Sequence, residues 1–125
     1  MRIVNLTRGT LLGTRIELAD SWWGRFRGFL GRERPREGQG ILLAPCSAVH
    51  TYGMKFDLDL VFVGACGEVL AVAEQLEPGK TSGRVPGSRY VLEVPAGTIR
   101  ATKTAVGDTF SWTPANGSPP IRERA

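Results

Sequence analysis

The feature that most restricts what this chain can fold into is its punctuation. Sixteen glycines and eight prolines are spread through 125 residues, and the apolar runs between them are short. Glycine loosens the backbone and proline locks φ and removes a donor, so both interrupt regular structure. Long helices have little room here, whereas strands of roughly 4–8 residues bounded by turns fit well. "RIVNL" and "LLGTRIEL" read as two strands joined by a turn at Arg8-Gly9. "ILLA", "SAVHTYGM", "RYVLEV" and "GDTFSW" read as further strands. "LDLVFVGACGEVLAVAEQL" reads as a hairpin turning over Gly64 to Gly67.

One stretch follows a helical period instead. In "DSWWGRFRGFLG", Trp22, Phe26, Phe29 and Leu30 recur at helical spacing, Asp20 or Ser21 is placed to cap, and Gly31 to stop. Its polar side carries Arg25 and Arg32. "PAGTIRATKTA" reads as a short helix or irregular turn. The predicted architecture is therefore mostly β: an antiparallel β-sandwich or partly open barrel, with one short α-helix near residues 20–30 packed on the sheet. A single domain over 1–112 is expected. Residues 113–125, rich in Pro, Gly and Ser and then charged, are expected to form a disordered tail.

No apolar run approaches the ~20 residues a membrane helix needs. The first residues lack the apolar core of a secretory signal, so a cytoplasmic location is expected. Cys46 and Cys66 are too few for a disulfide framework, and a reducing compartment disfavours a bridge between them. The net charge of +4 is unevenly spread. Arg25, Arg27, Arg32, Arg34 and Arg36 crowd one segment, while residues 57–77 carry five acids and no base. Nucleic-acid binding through Arg25 to Arg36 is the functional alternative. It is disfavoured, because no aromatic-interleaved or helix-turn-helix pattern accompanies the arginines, and mutual neutralisation of the two segments is expected instead.

The segment "CSAVHTYGMKFDLDLVF" concentrates the chemistry. Cys46, His50 and Met54 form a soft set that attracts copper or zinc when its members converge. On an extended strand, four residues separate each donor from the next by roughly 13 Å, too far for one ion or for a Cys–His nucleophilic pair. No metal and no cofactor is expected. Asp59 shares a strand face with Val61 and Val63, opposite Leu58, Leu60 and Phe62. Both faces are apolar, so this carboxylate faces burial and needs partners, with His50, Thr51, Lys55, Arg25 or Arg27 as candidates. Glu93 in "RYVLEVPAG" poses the same problem.

These residues also carry a resemblance. "WWGRFRGFLGR", "GILLAPCSAVHTYGMKFDLDLVFVGACGEVLAV" and "YVLEVPAGT…VGDTF", in this order, resemble the domain-of-unknown-function family 192 over about residues 2–112. The resemblance rests on Arg27-Gly28 at the helix end, the His50/Met54 segment, Asp59, Glu93 before Pro95-Ala96-Gly97, and Gly107-Asp108. It implies a compact β-sandwich or barrel with one packed helix. No activity is established for that family, so no catalytic residue carries over. Many of its members have a secretion or lipoprotein signal and an aromatic residue near the position of Tyr52; no such signal is read in this sequence.

The sequence thus leads to a non-enzymatic ligand- or partner-binding module with a polar site around His50 and Asp59. Arg27, Cys46, His50, Thr51, Met54, Asp59 and Glu93 are the candidate binding residues for an unknown small ligand or protein partner. The enzymatic alternative is a hydrolase that uses Asp59, His50 and Glu93.

Overall fold

The computed structural model describes residues 1–113, without the side chains of Trp22, Trp23 and Phe26. The expected tail beyond Thr113, and the expected packing of those three aromatics, lie outside the described residues. Two sheets form the body, as the turn-bounded pattern predicts. The smaller sheet has the order β2–β1–β8, from β1 (Arg2–Asn5), β2 (Thr10–Gly13) and β8 (Phe110–Thr113). The larger comprises β3 (Arg15–Ala19), β4 (Gln39–Leu43), β5 (Leu58–Val63), β6 (Val69–Leu76) and β7 (Tyr90–Pro95), in the order β3–β4–β7–β5–β6. The described residues form a sandwich and no closed barrel.

Three local expectations are corrected. "LLGTRIEL" is not one strand: it breaks at Thr14, so that β2 enters the small sheet and β3 the large one. Gly13 enables the break. A Cβ there would lie 2.8 Å from the Gly38 carbonyl oxygen, which accepts the Thr14 and Arg15 amides. The sheets are also not wholly antiparallel, because β3 runs parallel to β4. Finally, "SAVHTYGM" forms no strand beyond an isolated bridge between His50 and Thr81.

The large sheet buries both faces, which explains why β5 is buried at every position. One face meets the small sheet, with Val61, Val63, Leu92 and Val94 against Ile3, Leu12, Phe110 and Trp112. The other face presents Ile41, Leu43, Leu58, Leu60, Phe62 and Val91 to Phe29 and Phe56. Alternation along β5 follows the predicted split. Helix α1 (Trp22–Arg27) begins with Ser21, whose hydroxyl accepts the Gly24 amide, and ends at Gly28 rather than Gly31. A second short helix, α2 (Thr98–Thr102), follows β7. No helix among the described residues is long and apolar enough to cross a membrane.

Arg34 of the arginine segment and Asp57 of the acidic one line a common surface pocket, without a close ion pair between them. Among the described residues the ion pairs are Arg8–Asp108 and Arg32–Glu17, and neither joins the arginine segment to the acids of 57–77.

Candidate functional site

On the second face of the large sheet, the end of α1 and the segment from Pro45 to Met54 enclose a cavity of about 320 Å³. Its lining brings together Arg27, Cys46, His50, Met54 and Glu93, five of the seven residues picked from the sequence. The extended-strand argument that held Cys46, His50 and Met54 apart does not apply, because the segment turns instead of running straight. Met54 donates its amide back to the Thr51 carbonyl in that turn.

Glu93 belongs to the apolar floor. It lies on β7 between Ile41 of β4 and Leu60 of β5, its cross-strand partners, and only 3% of it is exposed. Burial pushes its carboxyl up to about 7, against the opposing pull of the Phe29 amide and the Arg32 charge. Its Oε1 has no hydrogen-bond partner among the described residues. The chain reaches this carboxyl so closely because Gly28 ends α1: a Cβ on Gly28 would lie 2.5 Å from Oε1. Gly28 also adopts φ 47° and ψ −126°, a conformation reserved for glycine.

Around Glu93 the site is basic and apolar by turns. Arg25 holds the Asp20 carbonyl at 2.7 Å, and Arg27 reaches the Leu30 carbonyl at 3.3 Å. Phe29, Val49 and Met54 supply the apolar walls. Cys46 donates its thiol to the Ala48 carbonyl at 3.3 Å. Burial pushes that thiol up and nearby Glu93 adds to the effect, while Arg25 pulls the other way. The result is a resting thiol rather than a nucleophilic thiolate. His50 stacks on the exposed Tyr52 ring, with centroids 5.4 Å apart and planes at 25°. Among the described residues no group of three or more His, Cys, Asp or Glu side chains is placed to hold a metal ion.

The other two candidates, Thr51 and Asp59, do not line this cavity. Thr51 is buried, and its hydroxyl donates to the Glu77 carbonyl at 2.6 Å while accepting the Lys80 amide at 2.9 Å, which ties down the loop that follows β6. Asp59 is fully buried on the opposite face of the sheet. Its carboxylate accepts the amides of Gln75 (2.8 Å), Gly97 (3.1 Å) and Ile99 (2.8 Å), so it caps α2 and anchors β6. None of the side-chain partners expected for Asp59 is used. Backbone amides take their place, because α2 and the bend at Gln75 both close on that face.

Sequence reasoning missed Arg25, Gly28 and Phe29 as lining residues of this cavity. Their signal was present at the helix end, where two arginines and a glycine precede Phe29, but the glycine stop was set three residues late. A second polar network also lies elsewhere. Asp108 accepts Asn5 at 2.9 Å, Arg8 at 3.0 Å and the Ala105 amide at 3.0 Å, and thereby fastens the small sheet to the turn before β8.

Comparison with known proteins agrees on fold and leaves activity open. A model of the domain-of-unknown-function family 192, described as an uncharacterised ACR, matches residues 3–112. A UPF0127 protein of Thermococcus sibiricus is 24% identical over 88% of this chain and 73% of its own length. Another from Pyrococcus furiosus is 28% identical over 88% of this chain and 97% of its own. A crystal structure of a protein of unknown function from Novosphingobium aromaticivorans superposes with a TM-score of 0.79 at 22% identity. It covers 90% of this chain and 84% of that one.

Proposed function

This chain belongs to the domain-of-unknown-function family 192, and from that premise we propose that it is a small-molecule-binding module rather than an enzyme. The ligand site is the cavity between the end of α1 and the Pro45–Met54 segment. The observation that carries this reading is Glu93 Oε1, an acceptor buried in that lining without a partner. Leaving such a group unsatisfied costs about 1–3 kcal/mol, and a bound ligand's donor would recover it. The cavity falls at the small end of the roughly 300–1,000 Å³ usual for ligand sites.

The hydrolase alternative loses its carboxylate pair. Asp59 faces the small sheet and Glu93 the cavity, so the Asp59–His50–Glu93 constellation does not assemble. The polar centre of the binding site shifts accordingly from Asp59 to Glu93.

The test is a thermal-shift screen against a broad metabolite panel, run on wild type and on Ala48→Trp. Ala48 is exposed at the mouth of the cavity, so the indole blocks entry without entering the core. The reading expects at least one ligand that stabilises wild type and loses its effect in Ala48→Trp. Hits that stabilise both proteins equally, or no hit at all, would overturn it.

A further inference from the structure

We propose that the cavity takes a small organic anion bearing a hydroxyl beside its phosphate or carboxylate, with Arg25 and Arg27 on the charge and Glu93 on the hydroxyl. This deepens the binding reading above and rests on it. Two arginines from one short helix line the space, yet neither belongs to either of the ion pairs found among the described residues. Each is held by one backbone carbonyl, at the Asp20 and Leu30 positions. Those single bonds leave most of each guanidinium's five donors for another acceptor. A guanidinium fork matches a phosphate or carboxylate edge, which a neutral ligand does not offer.

Glu93 is the one acid in this lining, and it is buried with its Oε1 unpartnered among the described residues. The titratable groups that share its lining are Arg25 and Arg27 from the helix and Cys46 and His50 from the opposite wall, and the Arg32 charge acts on it from beyond the lining. An ionised Glu93 accepts a ligand hydroxyl but repels the neighbouring anion. A protonated Glu93 donates to the same hydroxyl oxygen without repulsion. With its carboxyl pushed up to about 7, Glu93 changes between these states near neutrality, so entry of an anion draws a proton onto it. Affinity therefore rises as pH falls through that range.

The experiment is isothermal titration of the full chain with glycerol 3-phosphate, glycerate and neutral glycerol, at a pH on each side of neutrality. At least one anion is expected to bind, more tightly at the lower pH, and glycerol is not. Preference between the two anions identifies the charged group. The double variant Arg25→Gln/Arg27→Gln is expected to weaken binding on the order of tenfold or more. Glu93→Gln is expected to flatten the pH dependence. If glycerol binds as well as the anions, or neutral molecules alone are found in the metabolite screen, the binding module stands and the anion assignment fails. Failure of both anions at millimolar concentration would also overturn the assignment. So would unchanged affinity in a double variant whose melting curve shows an intact fold.

Discussion

Asp59 and Glu93 are buried acids on neighbouring strands of one sheet, and they face opposite sides of it. Asp59 pairs across the ladder with Val94, and Glu93 with Leu60, so the two carboxyls are one residue out of step. With a side-chain period of two, one step is enough to send them to different layers. The consequence is a division of labour. Asp59 meets three backbone amides and is saturated, whereas Glu93 meets an apolar row and a cavity, with one buried oxygen left unpartnered among the described residues.

Asp59→Ala should therefore damage the fold, since it strands the amides of Gln75, Gly97 and Ile99. An expected loss of about 3 kcal/mol in urea denaturation follows from buried donors left unmade. Asp59→Asn, which keeps one acceptor oxygen, should cost less. A loss below about 0.5 kcal/mol for the alanine variant would contradict the anchoring role.

Glu93 should set a pH dependence of stability. Its carboxyl value in the fold lies above the unfolded one, so the native state holds the extra proton between about 4.5 and about 7. Stability should decline as pH rises through that window, by up to about 3 kcal/mol, and level off above it. Glu93→Gln should remove the decline and be the more stable protein in mildly alkaline buffer. Parallel pH curves for the two proteins would show that Glu93 is not the group responsible.

Gly28→Ala tests the close approach of the helix end to Glu93. The added methyl would sit 2.5 Å from Oε1 at a backbone conformation glycine alone adopts freely. The variant should lose about 2 kcal/mol or more in thermal or urea unfolding. It should also displace Glu93 and change the pH curve. Wild-type stability in this variant would mean that the helix end can retreat.

Asp108 should act in the opposite direction to Glu93. Burial works against its charge, but the Arg8 and Asn5 side chains and the Ala105 amide hold its carboxyl below the usual carboxylate range. A depressed value makes its stabilisation full above the unfolded carboxylate range and lost as pH falls through the depressed one. Asp108→Ala should cost about 3 kcal/mol at neutral pH. The half-exposed Arg8 should cost only about 1 kcal/mol on replacement by alanine. The measurement is urea denaturation at neutral and acidic pH, where the Asp108→Ala deficit should shrink.

Local chemistry was legible in the sequence wherever it depended on neighbours in the chain. Ser21 as a cap, the turn from Gly64 to Gly67, and the face split of β5 all follow from spacing over a few residues. The burial of Asp59 and Glu93 was legible too, because both sit in apolar runs. Which side each faces relative to the other was not, since that depends on the β5–β7 register between residues more than thirty positions apart. The parallel pairing of β3 with β4 is non-local in the same way. The course of residues 45–54 escaped because alternating "SAVHTYGM" mimics a strand. Its amides instead go to partners across the loop, such as the Ser82 hydroxyl for Val49 and the Lys80 carbonyl for Thr51.

The most direct measurement of the central claim is amide NMR of the labelled chain during titration with the best anionic binder from the calorimetry. A cavity built around Glu93 predicts that shifts concentrate at Arg27, Gly28, Phe29, Cys46, His50 and Glu93, with Gln75, Gly97 and Ile99 around Asp59 unmoved. Shifts centred on the Asp59 amides, or scattered over the arginine surface without involving Glu93, would contradict it.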